Sequence, residues 1–239
     1  ERYQHAREFD HLVLLNKELD AVYVYHNITH TQDVVAYTTE LAENLNIDAI
    51  SKENLQLAAL FHDTGFIEDA KNHESESVKI ATNFLNENNV DAGRIAVISK
   101  LILATKMGNQ SDNELEQIIM DADCAHLGSK NFENKLELLR KEWESTENKK
   151  FSDTEWIAIN IEFLTKGHNY YTPYALKKWS KGKDKNISKL LKNQHKIKEN
   201  LAKFKQKEEA LEIKQNKSEV PERGIETMFR VALRNHITL

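Results

Sequence analysis

One cysteine, two prolines and seven glycines are all that this 239-residue chain holds of the residues that cross-link, kink or sharply turn a backbone. The single thiol, Cys124, excludes an intramolecular disulfide and leaves a cysteine-based structural zinc site without ligands. So few turn residues argue against an all-β fold, whose hairpins depend on them. No apolar run approaches the roughly 18 to 20 residues that span a bilayer, and residues 1–10 have no signal-peptide character. A soluble, mostly helical protein in a reducing, cytoplasmic setting is expected. The chain also lacks an initiating Met and stops at Leu239 in mid-pattern, so it is read as a piece of a longer protein.

The length leaves room for one main core and an appendage. Charge is distributed unevenly: residues 181–217 carry twelve lysines against five acids, a balance of +7, so the overall −5 leaves about −12 on the remainder. An acidic body is poorly suited to non-specific nucleic-acid binding, which depends on Lys and Arg displacing counterions from phosphates. No nucleic-acid partner is expected.

Apolar periodicity predicts a succession of amphipathic helices. A first covers 2–20 (Phe9, Leu12, Val13, Leu19), and a second runs from about Thr29 to Leu45 with Val34, Val35, Tyr37, Leu41 and Leu45 inward. A third starts from Ser51 as N-cap and is apolar almost all round through 55–61, so it should be buried on most sides. It is expected to end at Thr64-Gly65, with Gly65 in the left-handed closing position. Further helices are predicted over 74–88, 91–105 and 131–145. Ser111-Asp-Asn-Glu114 and Ser152-Asp-Thr-Glu155 read as capping boxes opening helices that run to about His126 and Leu164. Beyond Gly182 a Lys-rich helix places Leu190, Ile197, Phe204 and Leu211 seven residues apart. Ile187, Gln194, Leu201 and Glu208 form the companion seam, only half apolar, so a coiled coil there is weak, and a long solvated helix is the competing reading.

Metal-capable side chains concentrate in His26-Asn-Ile-Thr-His30, His62-Asp63, His73-Glu74 and Asp121-Ala-Asp123. On a helix, His26 and His30 at i and i+4 would share one face. His62-Asp63 offers one nitrogen and one oxygen ligand. A mixed set of two His and two Asp suits Mn, Fe, Ni or Zn better than calcium, which prefers oxygen alone. Asp121 and Asp123 point about 200° apart on a helix, so only one can serve a given ion, and the apolar pattern does not choose between them.

Tyr25-His-Asn-x-x-His30-Thr, Leu60-Phe-His62-Asp63-Thr-Gly and Asp121-Ala-Asp123, in this order, resemble the H…HD…D signature of HD-superfamily phosphohydrolases, over roughly residues 5–175. The resemblance implies an all-α HD helical bundle followed by a long charged C-terminal helical extension. It implies a divalent cofactor (Mn, Fe, Ni, Zn or Mg) held by His30, His62, Asp63 and Asp123; its Ala-Asp step favours Asp123 over Asp121. It also implies hydrolysis of a phosphoric ester, with a nucleotide or cyclic nucleotide as the expected small-molecule substrate. In the cyclic-nucleotide phosphodiesterase branch, the residue matching His26 donates a proton to the leaving oxygen, and Asp63 would orient the attacking water. Lys106 and His126 are the candidate substrate contacts, against the plainer readings of an exposed lysine and a core histidine. His73-Glu74 is read first as a surface helix start, with a pair supporting the ligands or a ligand to a second metal as the alternatives, and His168 with Tyr170 and Tyr171 as packing.

A second resemblance, over about seventeen residues that include Glu222-Arg-Gly-Ile-Glu-Thr-Met-Phe-Arg-Val-Ala-Leu-Arg-Asn-His236, is to the opening of the membrane effector module of bacterial Pycsar antiphage systems. It implies membrane attachment through residues beyond 239, a cytosolic position for this chain, and a bacterial source; a helix docking on the body or on a second copy is the alternative. The organisation expected is an HD domain over 1–180, a basic helical connector over 181–220 and a C-terminal helix over 221–239, with homo-oligomer contacts through the C-terminal helices. The competing functional reading is a catalytically silent nucleotide sensor that regulates a membrane effector.

Overall fold

The computed structural model describes residues 19–218, with side chains through 212. The helices expected over 2–20 and 221–239, and the segment resembling the effector module, lie outside the described residues. Among those described, eight α-helices form and no strand: α1 (Ile28–Asn44), α2 (Ala49–Phe61), α3 (His73–Glu87), α4 (Ala92–Ala104), α5 (Glu114–Asp123), α6 (Phe132–Thr146), α7 (Asp153–Glu162) and α8 (Pro173–Ser218). No helix among the described residues is long and apolar enough to cross a membrane.

Short polar residues set where these helices start. The Asn27 side chain accepts the Thr29 and His30 N–H groups and fixes the first turn of α1, satisfying donors that the helix itself leaves orphaned. Asp48, not Ser51, caps α2: its carboxylate accepts the Ile50 and Ser51 N–H groups, so Ser51 is a capped residue rather than the cap. The same substitution occurs at α5. Asn113 accepts from Leu115 and Glu116, while the Ser111 hydroxyl is occupied with Glu116 and with the Asn113 N–H. At α7 the reciprocal Ser152–Glu155 box forms as expected. Helix α5 stops at Asp123 and passes into a 3₁₀ turn over Cys124–Gly128, and α7 passes into a wider π turn over Phe163–Gly167.

Helices α1 to α5 enclose the main core, with Leu41, Leu55, Phe61, Ile98, Ile102, Ile118 and Ile119 sealed from solvent. Each such side chain contributes about 1.5–3 kcal/mol by leaving water. A smaller core gathers Leu127, Phe132, Leu164 and Leu190, with Ile187 against it.

Gly65 has a different role from the expected left-handed stop. Its φ is not positive; it lies in a 3₁₀ turn over Thr64–Ile67, where a Cβ would meet the His73 carbonyl oxygen at 2.0 Å and the Ser77 nitrogen at 2.7 Å. Close approach of α3 is what demands glycine there. Ser77 closes the junction, accepting the Gly65 N–H at 2.8 Å and donating to the His62 carbonyl at 2.7 Å.

The chain separates into two compact units, Glu1–Leu191 and Lys192–Leu239. The change of composition near Gly182 does not interrupt the helix: α8 continues through it, and Gly182 is required because a Cβ would fall 2.0 Å from the Gly128 oxygen. In the second unit Leu201, Phe204 and Leu211 are exposed.

Candidate metal centre

The site assembles where the start of α1, the end of α2 and the end of α5 meet. His30 stands in the first turn of α1, His62 and Asp63 follow the last residue of α2, and Asp123 closes α5. One ligand atom each from His30, His62 and Asp123 lies within 4.8 Å of the other two. His30 Nε2 is 3.1 Å from Asp123 Oδ1 and 3.4 Å from Asp63 Oδ2. His62 Nε2 is 3.1 Å from Asp63 Oδ2 and 3.7 Å from Asp123 Oδ1. Two imidazole nitrogens and one carboxylate oxygen therefore form a cluster, and Asp63 Oδ2 borders it through both histidines.

Neighbouring groups aim these atoms. His62 Nδ1 is 2.8 Å from the Ala59 carbonyl; donating there, it leaves Nε2 as the lone-pair side turned to the cluster, the usual arrangement for a ligating imidazole. His62 Nε2 and Asp63 Oδ2 are buried and have no hydrogen-bond partner among the described residues. Leaving such atoms unpaired costs about 1–3 kcal/mol each, and a cation at the focus would satisfy both. Burial disfavours a charge on His62, yet Asp63 and Asp123 carry its pKa well above the ordinary histidine value. Burial likewise opposes charge on the two aspartates, but the imidazoles hold both below the usual carboxylate range. These groups are built around positive charge, and a divalent ion can replace the protons that otherwise provide it. The residues fit such an ion.

Asp121 is turned elsewhere. Fully buried, its carboxylate accepts the Tyr171 N–H at 2.9 Å and the Thr172 N–H at 2.7 Å, anchoring the segment that leads into α8. The two aspartates diverge as the helical geometry requires, and Asp123 is the one that faces the histidines.

His26 lies before the N-cap of α1, so the i, i+4 helical relation to His30 does not hold; the extended link at Asn27 carries it in, and the two rings still sit 5.8 Å apart, edge to face. What orients His26 was not legible in the sequence. Glu142 on α6, only 2% exposed, accepts the Tyr25 N–H at 2.8 Å, the His26 N–H at 3.0 Å and a short contact from His26 Nδ1. Burial works against a charged His26, but Glu142, with Asp63 and Asp123 further off, raises its pKa above the ordinary value. The only signal in the sequence was an acid about 60° round the helix from Leu139, at the margin of an apolar stripe.

The flanks complete the site. The ring of Phe66 stacks on His26 (4.4 Å) and on His73 (4.1 Å). His73 does open α3, but the expectation of a surface position fails for Glu74, which is buried; His73 Nε2 lies 3.7 Å from Asp63 Oδ1 and 3.5 Å from Glu74. His126, in the 3₁₀ turn, has both ring nitrogens 3.2 Å from the Tyr25 hydroxyl; burial and His30 push its pKa down to about 4, so it is neutral near pH 7. Lys106 is exposed, on the rim of a small cavity that also reaches Asp123. Cys124 is a buried-side neighbour whose thiol burial pushes well above its usual pKa, which makes it unreactive. His168 is buried, its Nδ1 2.9 Å from Lys183 Nζ, and belongs to packing of α8.

An all-helical bundle with two imidazoles and two carboxylates converging from three elements has the layout of a divalent-metal centre. Residues 27–128 match the HD domain family, and this stretch contains all four converging side chains. At the level of that superfamily the match supports a metal-dependent hydrolase. No curated protein matches the chain.

Proposed function

We propose that this chain hydrolyses a phosphoric ester, a nucleotide or cyclic nucleotide, with a divalent metal held by His30, His62, Asp63 and Asp123. The observation that carries the reading is the clustering of His30, His62 and Asp123 ligand atoms with Asp63 beside them, in which the buried His62 Nε2 and Asp63 Oδ2 face each other at 3.1 Å without a hydrogen bond of ordinary geometry. A divalent ion there supplies Lewis acidity, activating water near neutral pH and offsetting charge that develops on phosphoryl oxygens. His26 donates a proton to the departing oxygen, and Glu142 shifts its pKa upward, in favour of the protonated form that this task needs. Glu142 holds its ring in place. Asp63, with Oδ2 toward the cluster and Oδ1 toward His73, orients the attacking water. Lys106 and His126 contact substrate from either side of Asp123.

The test measures metal content and phosphatase activity together, on the wild-type chain and on a His62→Ala, Asp63→Ala double variant, across nucleoside monophosphates, triphosphates and cyclic nucleotides. Metal-dependent turnover that the variant loses is expected. Bound metal and nucleotide without turnover would replace the enzyme with a nucleotide sensor, and no metal in either protein would end both readings.

A further inference from the structure

Next to the candidate metal centre, and adjoining the small cavity beside Lys106 at Met107, Asp123, Cys124 and Phe163, a cavity of about 240 Å³ opens between α6 and α7. One end is formed by His26, Asp123 and His126; most of the remaining wall is apolar, drawn from Leu136, Leu139, Trp143, Trp156, Ile159 and Phe163. Of its basic side chains, Lys135 is already paired with Asp33 at 2.8 Å and His26 with Glu142, so these two leave no uncommitted cation for a second phosphate. The size is just below the about 300–1,000 Å³ typical of sites for whole drug-sized ligands, which suits one small ring system.

Trp156 lends its ring to this wall, while its indole Nε1–H is sealed within the packing and is not offered to the cavity. We infer that this cavity binds the organic part of the substrate, a flat, largely apolar ring, while the phosphoryl group lies at the Asp123 end. The inference rests on the reading of the centre as phosphoryl-binding and narrows it to esters whose alcohol carries a planar ring, nucleosides included, rather than of simple sugars or polyols. A nucleobase and a carbonyl-bearing aryl group share this chemistry, and the test separates them.

Calorimetry and tryptophan fluorescence on the metal-loaded protein would compare 4-methylumbelliferyl phosphate, uridine monophosphate, 1-naphthyl phosphate, glycerol phosphate and inorganic phosphate. Binding of 4-methylumbelliferyl phosphate or uridine monophosphate is expected to be at least about tenfold tighter than that of glycerol phosphate, the size of effect that burying a ring produces. Which of the two ring esters shows it identifies the source of the ring. Ile159→Trp, which fills the cavity from its half-open edge, is expected to abolish the preference and leave inorganic phosphate affinity unchanged; Ile159→Phe serves if the larger ring prevents folding. Equal affinity for ring and glycerol esters, or a preference that Ile159→Trp leaves intact, overturns the assignment. Because the readout is binding, ring preference without turnover refutes only hydrolysis, and turnover without ring preference refutes only the cavity.

Discussion

Replacing Glu142 by Gln keeps shape and size and removes one charge, so it isolates what that carboxylate does for His26. Glu142 is almost wholly buried and accepts from the Tyr25 and His26 N–H groups and from His26 Nδ1. A hydrogen bond to a charged group contributes about 1.5–3 kcal/mol and one between neutral groups about 0.5–1.5. Since the amide oxygen can still accept from the backbone, the loss of stability should be about 1–3 kcal/mol at pH 6. The pH dependence has a definite sign. His26 has its folded pKa raised above the ordinary histidine value, so the stabilisation it brings is full below about pH 6.5 and disappears as pH rises through the folded pKa. The gap in urea-unfolding free energy between wild type and Glu142→Gln should therefore be larger at pH 6 than at pH 9. Catalysis follows the same group: with a general acid contributing about 10²–10⁴-fold, kcat should fall at least about tenfold, and its alkaline limb should move to lower pH because His26 loses its proton sooner. Superimposable alkaline limbs in the two proteins, or an unfolding gap independent of pH, would refute the role given to Glu142.

The two neighbouring aspartates should separate cleanly. Asp123→Ala is expected to abolish metal binding by elemental analysis with a small effect on folding, whereas Asp121→Ala, leaving the Tyr171 and Thr172 N–H groups unpaired in a sealed site, should cost about 2–4 kcal/mol in denaturant unfolding yet retain metal in the folded fraction. Gly65→Ala brings a Cβ to 2.0 Å from the His73 oxygen, and should destabilise by about 1–3 kcal/mol or more; an unchanged unfolding midpoint would contradict the packing described. Adding the bound metal to chelated protein at a hundred times its Kd should stabilise wild type by about 2.7 kcal/mol, read as a rise in Tm, and should leave His62→Ala unmoved.

The helical class, most helix positions and the chemistry of the centre were legible in the sequence, because each depends on short-range regularities. Apolar spacing reports which face of a helix is buried, few glycines and prolines report few sharp turns, and the candidate ligands His30, His62, Asp63 and Asp123 occur in short ordered stretches. Where the sequence offered two similar groups, it did not decide. Ser51 and Asp48 both suit an N-cap, and only the chain's path shows which carboxylate or hydroxyl meets the free N–H groups. Asp121 and Asp123 are equal as ligands until the segment at Tyr171 and Thr172 arrives from fifty residues away and takes one of them. Glu142 reaches His26 across 116 residues, and the cavity beside them exists only because α6 and α7 pack apart from Asp123. Periodicity along a helix is a local property of the chain; the distance between side chains on different helices is set by how the whole bundle packs, and that is where the proton donor's partner and the shape of the site were decided.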